Sequence, residues 1–384
     1  MSQELIIHTP RLQESSSGTR VEVKLESPAG HFDLFFEVQG ARVRHTASPF
    51  VALSIPLEMT RGWNIRSESP ISAQLMEASQ TVQDIIQFFR PQTHRIQLHT
   101  AVQEEPARPG RTAASYFSGG VDSFYTYLKH KERITRLIFG WGFDIKLEQE
   151  TFAGLVSEQI QQMADELGVG LIRLKTNVRE FTDPIIHWRD LHGALLGGMA
   201  TLLSDDLDTV YIASSQHYGD LFPWGSHPIL DHHWSTESVK VINDGCECKR
   251  HEKLALVITN EVAMRRLRVC FNNKFDRYNC NRCEKCYRTK VALYALGALE
   301  RCQTFQPDIN LEHMSELRYG NNGNVVRANM ENYELLKLRR PDPAVMKALK
   351  RAMRRPSWFK VAKQYLRQHF PKQGTSQPIS KKAG

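Results

Sequence analysis

Two groups of residues in this chain have the types and spacing that chemistry requires. The first is Ser118-Gly-Gly-Val-Asp-Ser123, set between an apolar run, Ala113 to Phe117, and a segment with an apolar stripe through Phe124, Tyr127 and Leu128. A strand that passes through two glycines into a helix is what an anion site needs. Gly119 and Gly120 let the backbone approach an anion and take up φ values that other residues resist, while the helix N-terminus offers unpaired N–H groups and a partial positive charge. Ser118 and Ser123 add hydroxyl donors, Val121 lies between them, and Asp122 can either hold Mg²⁺ or fix the loop. There is no Gly-x4-Gly-Lys-Ser/Thr, so no Walker-type lysine is aimed at β- and γ-phosphates. The bland alternative is a glycine turn before an ordinary helix.

The second group is Cys280-x2-Cys283-x2-Cys286 with Cys270 one short loop upstream. Four thiolates complete a tetrahedral zinc site, and a closed set of protein ligands leaves no position for water or substrate, so the role is structural. An iron–sulfur cluster also takes four cysteines, and the spacing alone does not distinguish the two. Seven cysteines in 384 residues are too few for a disulfide scaffold.

These residues must be positioned by a fold, and the sequence offers one. From residue 113 to 213 apolar strand-like runs alternate with helical segments: Ala113–Phe117 then Ser123–His130, Leu137–Trp141 then Glu150–Leu167, Gly170–Leu174 then His192–Ser204, and Thr209–Ala213. Such alternation implies an α/β fold with a parallel sheet covered on both faces, and ligands of such sheets rest at the carboxyl ends of the strands. Asp144 follows the second run and Ser214 and Ser215 the fourth, which makes them candidates for nucleotide contacts or for ordinary loop and cap roles. Asp220 and Asp231 can bind Mg²⁺ or substrate, or make Asx-turns. His187, His192, His217, His227, His232 and His233 show no metal-type pairing on one helical face and are read as solvent-facing or hydrogen-bonded.

Flanking segments differ in character. Residues 1–110 read as a small β-rich domain, with alternating stretches between Glu4 and Thr60, a helix over Ser72–Phe89 and a strand at Arg95–His99. Residues 111–305 form the expected catalytic domain and 306–384 a basic helical extension. From Lys337 onward there are 14 Lys or Arg against one acid, Asp342; of the net charge of +8 this end carries +13, leaving −5 for the rest. Val345, Met346, Leu349 and Met353 share a stripe that Trp358, Val361, Ala362, Tyr365 and Leu366 continue. Such a helix binds RNA, an anionic membrane or an acidic partner, or packs its stripe on the core. With no apolar run of membrane-spanning length and no leader pattern at Met1–Leu12, a cytoplasmic location is expected.

Ser118-Gly-Gly-Val-Asp-Ser123 after a strand resembles the signature of the PP-loop ATP pyrophosphatases, a family that includes GMP synthetase, asparagine synthetase and several tRNA-modifying enzymes. The cysteine spacing, with Cys270-Phe-Asn and Arg288, resembles the QueC-like branch, the 7-cyano-7-deazaguanine synthases. The resemblance covers about residues 113 to 300. Trp188-Arg-Asp precedes a helix where that branch has an arginine, and Arg250-x2-Lys253 sits where it has a lysine near the nucleotide. The resemblance implies a HUP-type five-stranded parallel sheet, bound Zn²⁺ at Cys270, Cys280, Cys283 and Cys286, and Mg-ATP with its phosphates on the turn. It also implies roles for Asp122, Arg250 and Lys253 in catalysis.

The implied reaction is adenylation of a carboxylate or amide with release of pyrophosphate, then displacement of AMP by ammonia or an amine. The Asp-Cys-Arg step of the deazaguanine enzymes is missing after Gly225-Ser-His-Pro-Ile-Leu-Asp231, so a different acceptor is expected, either a small molecule or a protein terminus. Two alternatives stand beside this one. The first is an RNA-modifying sulfurtransferase with sulfur on Cys246 or Cys302, and the second a non-catalytic nucleotide-binding module.

Overall fold

The computed structural model describes residues 3–272, 277–317 and 322–354, so Trp358 and the rest of the expected stripe beyond Pro356 lie outside the described residues. The chain opens with strands β1 (Glu4–Ile7), β2 (Arg11–Ser15), β3 (Gly18–Ser27) and β4 (Gly30–Gln39). Helix α1 (Ser48–Arg61), strands β5 (Asn64–Ser67) and β6 (Ile71–Ser72), helix α2 (Ala73–Phe89) and strands β7 (Leu98–His99) and β8 (Val102–Gln103) complete the N-terminal part.

The central part alternates β9 (Thr112–Tyr116), α3 (Val121–Lys129), β10 (Ile134–Trp141), α4 (Glu150–Leu167), β11 (Gly170–Thr176), α5 (Val178–Thr182), α6 (Trp188–Leu202), β12 (Leu207–Ala213) and β13 (Lys240–Asp244). The remaining helices are α7 (Arg250–Val257), α8 (Glu261–Arg266), α9 (Glu284–Ala295), α10 (Leu311–Glu316), α11 (Gly323–Arg339) and α12 (Pro343–Met353).

One mixed sheet runs through both parts in the order β13-β12-β9-β10-β11-β4-β3-β1-β5-β7, with β2 on β3. From β13 to β11 all neighbours are parallel. Burial is near-continuous along the central strands β9 and β12, as cover on both faces requires, and successive residues serve opposite cores. Ala114, Tyr116 and Ile138 face a core shared with α1, α2 and α6, while Ala113, Leu137 and Phe139 face one shared with α3, α4, α9 and α12. No helix among the described residues is long and apolar enough to cross a membrane.

The structure differs from the sequence reading in the N-terminal part. Its strands continue the same sheet, because β4 pairs antiparallel with β11 from Phe36↔Thr176 to Gln39↔Arg173. Ion pairs Arg42–Asp206 (2.5 Å) and Arg44–Asp205 (2.9 Å) tie the two parts together beside that seam. Ser48–Arg61 is a helix where alternating strands are expected. Twelve of its residues, from Ser48 to Met59, are buried, so it has no polar face to mark a helical period, and Pro56 lies inside it. The strand expected over Arg95–His99 is reduced to Leu98–His99.

Candidate functional site

Strand β9 delivers the backbone to the serine–glycine turn, and α3 begins at Val121 with Gly120 as its N-cap. Gly119 has φ +72°, the left-handed region that glycine occupies without strain, and a Cβ there would sit 3.3 Å from Met163 Cε and 3.4 Å from Tyr278 Oη. The Gly120 N–H donates to Ser123 Oγ (3.1 Å), which turns that hydroxyl inward to brace the loop. The Gly119 carbonyl accepts the Arg268 N–H (2.8 Å), so the turn is also held from outside.

Beside the turn, at the carboxyl ends of β9, β10 and β12, opens a cleft of about 230 Å³. Ser118, Asp122, Ser123 and Asp144 line it, together with Arg268 and an aromatic wall that includes Trp188 and His192. Gly119, Gly120 and Val121 form the turn rather than the lining, and Val121 is buried in the core. Ser214 and Ser215 stand apart from the cleft: Ser214 is buried and Ser215 exposed.

Asp122 organises the charges. Its Oδ2 accepts from Arg250 Nη1 (2.5 Å), and its Oδ1 lies 3.6 Å from Lys253 Nζ. Lys253 is 1% exposed and donates to the Ser214 carbonyl (2.6 Å), so the ammonium is shared between a carboxylate and a carbonyl. Gly245, at φ +96°, leaves room for it, since a Cβ there would come within 3.1 Å of Nζ. Burial opposes the charged form of Asp122, but Arg250, Lys253 and Lys285 outweigh it and hold the carboxyl at about 2. Lys285, in the first turn of α9, is pulled below the ordinary lysine range by burial and by Arg250 and Arg288. Burial likewise lowers Arg268 and His192. Three cations, Arg250, Lys253 and Lys285, thus act on the Asp122 carboxylate, and Arg268 lines the same cleft with Asp144, so four cations stand beside two carboxylates, an excess of positive charge suited to a polyphosphate. Asp122 is spent on holding Arg250 and Lys253, which favours its loop-fixing role over metal binding.

Behind the turn the four cysteines converge, with Sγ atoms all within 4.8 Å of one another. Cys270 and Cys283 are 3.9 Å apart and Cys280 and Cys286 3.8 Å. Thiolates bound tetrahedrally at about 2.3 Å from zinc stand about 3.8 Å apart, so the set can hold a metal such as zinc. Among the described residues this is the one group of His, Cys, Asp or Glu placed to do so. Asn279 braces its arms: Oδ1 accepts the N–H groups of Val269 (2.9 Å) and Cys270 (3.2 Å), and Nδ2 donates to the Leu267 carbonyl (2.8 Å). Asn281, at φ 56°, turns the chain between the second and third cysteines. The cysteine segment therefore carries Arg268, two residues before Cys270, and Lys285, next to Cys286, to the turn.

Other candidates have structural partners. Asp231 is fully buried and accepts from Ser226 Oγ (2.6 Å), Asn243 Nδ2 (2.8 Å) and the His227 N–H (3.0 Å); burial raises it to about 6. Asp220 pairs with Arg327 of α11, and His217 with Glu331 (3.2 Å). Cys246 and Cys302 are buried, and burial raises both thiols, which gives a sulfur-carrying role no support. Arg268, Lys285, Trp188 and His192 are the site residues that sequence spacing misses or underrates.

Compared with known proteins, the chain matches no family model, no curated protein and no solved structure.

Proposed function

We propose that this chain is an ATP-dependent adenylating ligase that joins a carboxylate to ammonia or an amine through an acyl-adenylate. The observation that carries this reading is the left-handed glycine turn at the start of α3, opening on a cleft whose neighbours Arg250, Lys253, Lys285 and Arg268 outnumber their acids. The order β13-β12-β9-β10-β11 of five parallel strands supports a HUP-type core.

In this reading the turn and Ser118 bind the phosphates, and Arg268 and Lys285 neutralise charge on pyrophosphate as it leaves. Arg250 and Lys253, fixed by Asp122, supply the rest of the positive field. A carboxylate oxygen attacks the α-phosphorus, the bond to the β-phosphate oxygen breaks, and pyrophosphate departs. The amine nitrogen then attacks the acyl carbon, AMP leaves with the bonding electron pair, and the amine loses a proton. Mg²⁺ accompanying ATP would neutralise phosphate charge, and Asp144 is the exposed carboxylate at the cleft. Zn²⁺ at the four cysteines would cross-link the segment that carries Arg268 and Lys285.

The reading is tested by pyrophosphate release from Mg-ATP in the presence of a metabolite extract and ammonium. Wild type should release it, and Arg250→Met should slow release at least 10-fold. Equal release by both proteins, or none by either across carboxylate-rich fractions, would sink the assignment.

A further inference from the structure

The C-terminal end of the described chain carries a charge pattern that the ligase reading does not use. Lys337, Arg339 and Arg340 close α11, and Lys347, Lys350, Arg351 and Arg354 follow on α12 and at its end, all seven exposed. Asp342, the one acid in this stretch, points its carboxylate at its own helix: it accepts from the N–H groups of Ala344 (2.9 Å) and Val345 (3.1 Å) and from Tyr294 Oη (2.8 Å). Arg340 lies over the Tyr294 ring (4.0 Å) and Lys350 over Tyr333 (4.7 Å). Of the seven, Arg340 alone acts on a carboxylate, that of Asp342, and no ion pair joins the other six to an acid among the described residues. The nearest acids on α11 are Glu334, which is exposed, and Glu331, which is paired with His217. Basic residues in a last turn complement the helix dipole, but one or two suffice for that.

The surface is suited to a polyanion, and two observations select among polyanions. First, the apolar stripe of α12 is already used: Val345, Ala348, Leu349 and Ala352 are buried in contact with α10 and α11. A helix that binds a bilayer interface inserts that stripe, and this one has none to insert. Second, the sequence from 355 to 384 adds seven Lys or Arg, no Asp or Glu, and the aromatics Trp358, Phe359, Tyr365 and Phe370 interleaved with them. Cations that track a backbone and aromatics that stack on bases are the composition of sequence-tolerant single-strand binding. Along α12, Lys347 to Arg354 spans about 10 Å at 1.5 Å per residue, enough to meet successive phosphates on one strand.

We propose that the end of α11 and the exposed face of α12 form a nucleic-acid-binding surface that grips the phosphate backbone of a single strand without reading its sequence. The test uses the full chain and fluorescein-labelled 20-nucleotide RNA and DNA, followed by anisotropy from 50 to 200 mM KCl. Five backbone contacts give a log–log salt slope of about −3.5 for a single strand. Replacing three of them in K347E/R351E/R354E should weaken binding at least 10-fold at 100 mM KCl and flatten the slope by about 2. K337Q/R339Q should give a smaller loss in the same direction, and unchanged urea midpoints establish that both variants are folded. No saturable binding at 50 mM KCl, or equal binding by the triple variant, overturns the proposal. So does retention on phosphatidylserine vesicles or polyglutamate by a chain that ignores both nucleic acids.

Discussion

Asp122→Asn isolates the electrostatic arrangement at the centre of the site. The side chain is 19% exposed, accepts from Arg250 at 2.5 Å and lies 3.6 Å from the buried Lys253 ammonium. Its carboxyl moves from an ordinary value of 3.8 to about 2. A folded value below the unfolded one means stability that is present above pH 3.8 and lost as pH falls through 2. That shift corresponds to about 2.5 kcal/mol at pH 7 and about 1.3 kcal/mol at pH 3. An amide also leaves Lys253 buried without its carboxylate, which adds to the loss, since removing one partner of a buried pair costs about 3–5 kcal/mol. Urea unfolding followed by tryptophan fluorescence should therefore show Asp122→Asn less stable by about 2–5 kcal/mol at pH 7. The gap should narrow by at least 1 kcal/mol by pH 3. A difference below 1 kcal/mol at pH 7, or one that stays constant to pH 3, would refute the pairing as described.

Gly119→Ala places a Cβ at φ +72° against Met163 and Tyr278, so it should cost about 1–2 kcal/mol in urea. It should also raise the KM for ATP at least 10-fold while the AMP-to-pyrophosphate ratio stays at unity. Elemental analysis should find one zinc per chain in the wild type and none in Cys280→Ser/Cys286→Ser. Removing the metal from the wild type with a chelator should lower the thermal midpoint; a chain that purifies without metal and binds none contradicts the cysteine site. Glu58, buried on α1 and raised by burial from 4.5 to about 7, acts in the opposite pH direction to Asp122. Its contribution is whole below pH 4.5 and is lost as pH rises through 7, an amount of about 3 kcal/mol. Glu58→Gln should flatten the wild-type decline in urea midpoint between pH 5 and 8, and an unchanged pH profile would count against it.

The central alternation was legible because its signals are local. Each βα unit between β9 and β12 announces itself by an apolar run and a following stripe, and α4 spans Glu150–Leu167 as its periodicity expects. The serine–glycine turn and the four cysteines were legible because type and spacing alone specify them. What escaped was set by distant packing. Helix α1 is buried on every side because it lies between the sheet and α6, so no exposed polar face sets a period to betray it. The β4–β11 seam joins residues more than 130 apart, and nothing in either strand names its partner. Strand β13 is only Lys240–Asp244, and its assignment depends on lying beside β12. Arg268 and Lys285 are two of 50 Lys and Arg; only their nearness to Cys270 and Cys286 could have marked them. Arg250 and Lys253 were named only through the family resemblance, and their shared carboxylate, Asp122, lies 128 residues upstream of Arg250.

The most direct test of the proposed chemistry is the fate of the phosphates. ATP labelled at the α- or γ-phosphorus is incubated with the full chain, Mg²⁺, ammonium and a metabolite extract, and the products are separated by thin-layer chromatography. Attack at the α-phosphorus predicts label in AMP from the first substrate and in pyrophosphate from the second, in equal amounts. Label appearing instead in ADP and inorganic phosphate would contradict it.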